Sequence, residues 1–197
     1  DVVGRGRSDW LVEPMGYSIA NYVADMVCLL ARLDAQVVDW VGTSMGGLIG
    51  LGLASLSGAP VRKLVLNDVG PVIQPQALQR IGSYVGQTAF WETLDEAADA
   101  SWALSQGFGP HTREQWLALT APQLKPAQKE GRDGFTARCD PGIAVPLRGV
   151  TPEMAAAGEA MLWQSYDRLQ CQTLLIRGLE SDLLSHDTAL AMTQRGP

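Results

Sequence analysis

The stretch from Val37 to Leu53, Val-Val-Asp-Trp-Val-Gly-Thr-Ser-Met-Gly-Gly-Leu-Ile-Gly-Leu-Gly-Leu, constrains the fold more than any other part of the chain. A β-branched run ends in Gly42-Thr-Ser-Met-Gly46, and an apolar, glycine-rich helical pattern begins at once. This order predicts a strand, a sharp turn and a helix, with Ser44 raised on the turn. Glycines two before and two after the serine are expected to let strand and helix approach without a Cβ clash. A serine hydroxyl so placed becomes a nucleophile when a base adjoins it. The N–H of Met45, at the start of the helix, would face a developing oxyanion. A membrane reading competes, because Val41 to Val61 carries no charge and Gly46 and Gly50 have the spacing of a helix-packing motif. A spanning helix needs about 20 predominantly apolar residues. This window instead holds six glycines, Thr43, three serines and Pro60, so the span is disfavoured.

The flanking sequence extends the pattern. Ser18 to Leu33 predicts a helix with Ser18 as N-cap and Ile19, Tyr22, Val23, Met26, Val27, Leu30 and Leu33 on one face. Arg62 to Val69 is a near-continuous apolar run, as in a buried parallel strand, and Gly70-Pro71 closes it. Strand, helix and strand at this spacing make a βαβ unit, hence a parallel sheet. The next clear strand is Thr173–Arg177, and between them the alternation stops. Residues 72–165 read as a helical insertion, with capping boxes at Thr93–Glu96 and Thr112–Gln115 and a cap at Thr151-Pro152. Lys125–Pro146 reads as loop with a short extended piece at Phe135–Cys139. An insertion after a strand's carboxyl end overlies the crevice where open α/β sheets bind ligands. Trp91, Trp102, Trp116 and Trp163 are therefore candidate substrate-binding residues of a lid, against the alternative of ordinary helix packing. The expected organisation is an α/β core from 1–71 and 166–197, incomplete at both ends, with 72–165 as cap.

Composition removes several classes. A net charge of −6 with no basic block argues against nucleic acid or an anionic membrane as partner. Cys28, Cys139 and Cys171 are far apart and odd in number, which suits a reducing, cytoplasmic setting and neither a disulfide framework nor a zinc site. Each is expected to be a small buried hydrophobe. Gly4-Arg-Gly-Arg-Ser-Asp9 partly mimics a dinucleotide fingerprint, but Asp9 stands where the third glycine belongs, and the segment reads as a turn after a strand. No metal set or phosphate-cradling loop is visible, so no cofactor is implied. The oligomeric state is not legible.

Three segments together resemble the α/β-hydrolase family: Asp1-Val-Val-Gly-Arg-Gly-Arg-Ser-Asp, Gly42-Thr-Ser-Met-Gly-Gly and Arg177-Gly-Leu-Glu-Ser-Asp-Leu-Leu. The order Ser then Asp is that family's order, and a helical insertion after Leu64–Val69 resembles its capped members. The resemblance implies an α/β fold, mostly parallel sheet with flanking helices, and an inserted helical cap. It implies Ser44 as nucleophile and Asp182 as triad acid, with Asp68 as runner-up acid beyond the preceding strand. Gly42, Met45, Gly46 and Gly47 would form the nucleophile elbow, with the Met45 N–H as one oxyanion donor. The family's histidine lies past one further strand and its second oxyanion donor in a loop upstream of Asp1, neither of which this sequence contains. His111 reads as a solvated loop residue. His186 follows Asp182 by four residues, and so short a separation is not the family's geometry for a base. The implied activity is hydrolysis of a small-molecule acyl ester through an acyl-serine, with these residues alone nearly inert. A carbon–carbon bond hydrolase or an acyltransferase would use the same serine. A non-catalytic binding protein on the scaffold is the reading from another class.

Overall fold

In a computed structural model describing residues 1–197, with side chains for all but Pro75, the elements follow in chain order. Helix α1 (Ile19–Leu30), strand β1 (Val38–Thr43), helix α2 (Met45–Ala54), strand β2 (Val61–Asn67) and helix α3 (Pro75–Tyr84) come first. Helices α4 (Leu94–Leu104) and α5 (Arg113–Thr120), strands β3 (Leu124–Lys129) and β4 (Arg132–Ala137), and helix α6 (Ala144–Arg148) follow. Helix α7 (Pro152–Asp167), strand β5 (Gln172–Ile176) and helix α8 (His186–Thr193) complete the order. They fall into two compact units, one of residues 15–83 with 146–197 and one of residues 1–14 with 84–145.

The first unit is built on a parallel sheet of order β1-β2-β5. Its central strand buries Leu64 and Leu66 completely, and both lie two residues apart on one face, as strand geometry requires. Leu51 and Leu53 of α2, Tyr166 of α7, Leu184 and Met192 close that core. The Tyr166 hydroxyl donates to the Met192 carbonyl at 3.0 Å, so the phenol is buried without an orphaned group. Register aligns the carboxyl ends of the strands: Thr43 lies opposite Asn67, and Asn67 opposite Ile176. The residues that follow, Ser44, Asp68 and Arg177, therefore emerge along one rim. The outer strands are less covered than a continuous apolar run suggests. Val41 on β1 is 74% exposed and Leu174 on β5 57%.

Helix α1 begins on Ser18, whose hydroxyl accepts the Asn21 N–H at 3.3 Å. Its packed face is narrower than the periodicity predicts. Tyr22, Val23, Met26 and Leu30 meet the core, whereas Val27 and Leu33 are exposed. Cys171 is buried as expected, but Cys28 is exposed on α1 and is not a core residue.

The second unit pairs α4 with α5 and carries the antiparallel hairpin β3–β4. Trp102 and Trp116 meet edge to face at 5.1 Å, and the Trp116 indole N–H donates to the Ala98 carbonyl at 2.8 Å. Thr112 and Gln115 form the reciprocal capping box expected of them. At α4 the Glu96 carboxylate reaches instead to the Glu92 N–H, while Thr93 caps the Glu96 N–H. The hairpin replaces the predicted loop. Glu130 and Gly131 both have positive φ, +54° and +77°, which is the two-residue geometry that turns one strand directly into the next.

Three groupings differ from the expected bounds, the first being α3, expected within the insertion, which groups with the parallel sheet. Helix α7, predicted within the insertion, groups with the parallel sheet because Tyr166 and Leu169 belong to its core. Residues 1–14, predicted with the core, group with the hairpin unit. The Gly6 N–H donates to the Arg138 carbonyl at 2.9 Å, and the Asp140 N–H to the Gly4 carbonyl at 2.9 Å. Asp1–Val3 form no strand; Arg5 makes a single antiparallel bridge with Cys139. Among the described residues no helix is long and apolar enough to cross a membrane.

Candidate active site

Ser44 sits between β1 and α2 with φ +50° and ψ −121°, a left-handed backbone that a non-glycine residue adopts only under constraint. The constraint is visible. Its N–H donates to the Asn67 carbonyl at 3.0 Å, and its carbonyl accepts from the Gly47 and Leu48 N–H groups at 2.8 and 3.2 Å. The side chain makes no capping bond to the helix and is partly exposed, so the hydroxyl is left for other chemistry. Met45 is the first residue of α2, and its N–H has no partner one turn back inside the helix.

The packing that forces this corner differs in one respect from the sequence reading. A Cβ on Gly42 would lie 2.3 Å from the Gly46 carbonyl oxygen and 2.5 Å from the Gly47 nitrogen. A Cβ on Gly47 would lie 2.4 Å from Val69 Cγ1. A Cβ on Gly46 would meet nothing within 4 Å. Gly42 and Gly47, not Gly46, make the close approach. Gly46 contributes its carbonyl, which accepts the Trp40 indole N–H at 2.9 Å.

Asp182 lies in the loop after β5. Arg80 of α3 grips it with two parallel bonds, Nε to Oδ2 at 2.7 Å and Nη2 to Oδ1 at 2.9 Å. The hydrogen-bonded guanidinium, aided by its charge, holds the Asp182 carboxyl below the usual carboxylate value. The Asp182 side chain is 54% exposed, and a carboxylate has about four lone-pair sites, so Arg80 leaves capacity for a further donor. Arg80 was not legible as a site residue, because its partner is 102 positions away.

Asp68, directly after β2, also has a left-handed backbone, φ +57°. Its two oxygens accept from the Gly178 N–H and the Ser181 hydroxyl, each at 2.9 Å. The runner-up acid is thus joined to the loop that carries Asp182. His186 starts α8 with its ring largely exposed and Nδ1 3.8 Å from Asp187. His111 is an exposed loop residue, as expected, whose ring bonds the Gly109 carbonyl at 3.0 Å and packs edge-on to Trp116. The four tryptophans are divided between the two units. Trp91, Trp102 and Trp116 belong to the hairpin unit. Trp163 lies in the sheet unit, edge to face with Tyr166 at 6.0 Å and under the Arg195 guanidinium at 4.2 Å. Among the described residues no group of three or more His, Cys, Asp or Glu side chains is arranged to hold a metal.

Comparison with known proteins agrees with this architecture. The family model for the alpha/beta hydrolase fold matches residues 1–129. A 3-hydroxybutyrate-oligomer hydrolase of Cupriavidus necator is 51% identical over all of this chain and 67% of its own length. The crystal structure of an alpha/beta hydrolase from Novosphingobium aromaticivorans aligns with TM-score 0.83 and 34% identity, over 99% of this chain and 67% of that one. A Rickettsia typhi structure aligns with TM-score 0.84 and 28% identity, over 100% of this chain and 65% of that one. The chain spans about two thirds of the length of these relatives. With its parallel sheet, strained serine corner and flanking helices, it belongs to the α/β-hydrolase family.

Proposed function

We propose that this chain carries the nucleophile and the acid of a serine ester hydrolase acting on short oligoesters of a 3-hydroxy acid. The observation that carries the reading is Ser44 on its constrained corner, on the same strand-end rim from which the Asp182 loop departs. Adjacent strands lie about 4.8 Å apart, so β1 and β5 are separated by about 10 Å across β2. An imidazole with a hydrogen bond of about 2.8 Å at each end spans about 8 Å. In this reading one histidine bridges Ser44 and Asp182, which stands six residues after β5. The name of the Cupriavidus relative supplies the substrate class.

Ser44 Oγ attacks the ester carbonyl as the histidine takes its proton, and Asp182 orients and stabilises the imidazolium. The Met45 N–H donates to the oxyanion. The histidine returns the proton to the departing alcohol, the hydroxyl end of the shortened oligomer, leaving an acyl-serine. Water, activated by the same histidine, then releases the 3-hydroxy acid. The base in this reading comes from outside residues 1–197: the His186 ring is largely exposed at the start of α8, and His111 bonds the Gly109 carbonyl of its own loop.

Assay of a 3-hydroxybutyrate dimer and trimer and a simple acyl ester series, with residues 1–197 and with a chain extended at both ends, tests this. Turnover is expected from the extended chain and its loss in Ser44→Ala. In subtilisin, a serine hydrolase of another fold, loss of the histidine costs about 10⁶ in turnover, so residues 1–197 alone should be nearly inert. Full activity in the unextended chain, or activity that survives Ser44→Ala, refutes the mechanism. Product analysis separates ester hydrolysis from carbon–carbon cleavage and from acyl transfer.

A further inference from the structure

The Asp182 loop is held from below by a residue of another strand. Asp68 follows β2 directly, and its N–H donates to the Ile176 carbonyl at the end of β5 at 2.8 Å. From that anchor its Oδ1 accepts the Gly178 N–H and its Oδ2 the Ser181 hydroxyl, both at 2.9 Å. The Ser181 oxygen then accepts the N–H groups of Leu183 and Leu184 at 3.2 and 3.0 Å. A serine hydroxyl has one proton and two lone pairs, and here all three are used. On the far side Arg177 Nε donates to the Leu184 carbonyl at 2.8 Å, and Leu184 itself is fully buried. The bonds from the Asp68 carboxylate thus run to the residues leading up to Asp182, and through Ser181 to those that follow it. The left-handed φ of Asp68 is the conformation that allows one residue to reach both its own strand neighbour and the loop.

We propose that Asp68 is a positioning residue: through Ser181 it fixes the loop 178–184 and so sets where the Asp182 carboxylate stands. The assignment rests on Asp182 being the acid of the proposed hydrolase. An amide cannot substitute for this carboxylate, because its NH₂ would oppose either the Gly178 N–H or the Ser181 hydroxyl. An alanine at 181 breaks the same link while leaving Asp68 in place.

The test uses the extended chain with Asp68→Asn, Ser181→Ala and Ser181→Thr, and with Ser44→Ala and Asp182→Asn as references. Steady-state kinetics on the 3-hydroxybutyrate dimer are read beside amide hydrogen exchange over residues 178–184. Asp68→Asn and Ser181→Ala are expected to lower kcat by about 10–100-fold with KM within about twofold, as misplacement of a catalytic group by about 1 Å does. Ser181→Thr, which keeps the hydroxyl, restores kcat to within about threefold of the parent. The Gly178, Leu183 and Leu184 amides are expected to exchange about tenfold faster in the first two variants, with the strand amides unchanged. Unchanged kcat and unchanged exchange in both variants overturn the proposal. So does a loss in Asp68→Asn as deep as that of Ser44→Ala while Asp182→Asn is tolerated, since Asp68 would then be the acid itself. Activity that survives both Ser44→Ala and Asp182→Asn refutes the hydrolase reading separately, and the exchange rates still decide whether Asp68 holds the loop. Should Asp68→Asn fail to fold, kcat and exchange in Ser181→Ala decide the matter.

Discussion

Replacing Gly42 by alanine and, separately, Gly46 by alanine separates steric need from motif membership. The added methyl at 42 would lie 2.3 Å from the Gly46 oxygen, 2.4 Å from the Gly46 carbonyl carbon and 2.5 Å from the Gly47 nitrogen. All three are backbone atoms of the first turn of α2, and none can rotate aside. Ordinary contact begins at 3.4 Å, so the turn must retreat by about 1 Å from β1. Overpacking of this kind costs about 1–3 kcal/mol. The Met45 N–H moves with that turn, and loss of one oxyanion donor costs about 10²–10³ in kcat. At 46 the methyl meets no atom within 4 Å, and relief of the glycine's backbone entropy in a helix is worth up to about 1 kcal/mol. Urea denaturation of the extended chain followed by tryptophan fluorescence, with kcat on the 3-hydroxybutyrate dimer, measures both terms. Gly42→Ala should lose about 2 kcal/mol and about 100-fold in kcat, and Gly46→Ala should match or exceed the parent in stability. A Gly42→Ala protein of parental stability and kcat, or a Gly46→Ala protein that is the more damaged of the two, would refute the assignment of the close approach.

Two further outcomes follow from named contacts. Arg80 depresses the Asp182 pKa, so its contribution is present above the carboxyl's unfolded value and is lost as pH falls through the lower folded value. Arg80→Ala should return the Asp182 titration, followed by carboxyl carbon NMR, towards the ordinary aspartate value; an unchanged midpoint contradicts the role given to the guanidinium. Trp116→Phe removes the indole N–H that donates to the Ala98 carbonyl, which keeps its own helix bond, and should cost about 0.5–1.5 kcal/mol in urea unfolding. An effect under about 0.5 kcal/mol would mean that the bond is replaced without loss.

The serine corner was legible because its signals are local: a β-branched strand, a turn and an apolar helix occur in immediate succession. The parallel sheet was legible for the same reason, from apolar runs at βαβ spacing. The hairpin was not, since Leu-Lys-Pro-Ala-Gln-Lys and Arg-Asp-Gly-Phe-Thr-Ala lack β-branched alternation and are paired through the Glu130-Gly131 turn. The allegiance of α7 was hidden because periodicity in Leu162, Tyr166 and Leu169 marks a buried face without naming what covers it. The two contacts made by the Asp182 loop, Arg80 to Asp182 and Asp68 to Ser181, join residues 102 and 113 positions apart, and no periodicity records pairs at that distance. Gly46 shows the opposite limit. Its place in Gly-x-Ser-x-Gly suggested a steric role that the packing assigns to its neighbour Gly47.

The central claim is that the Ser44 hydroxyl is an activated nucleophile. Treating the extended chain with a serine-directed fluorophosphonate and mapping the adduct by peptide mass spectrometry tests it most directly. One equivalent of label on the peptide containing Ser44, absent from Ser44→Ala and much slowed in Asp182→Asn, is the result expected. An unlabelled Ser44, or a label carried by another residue and indifferent to Ser44→Ala, would contradict it.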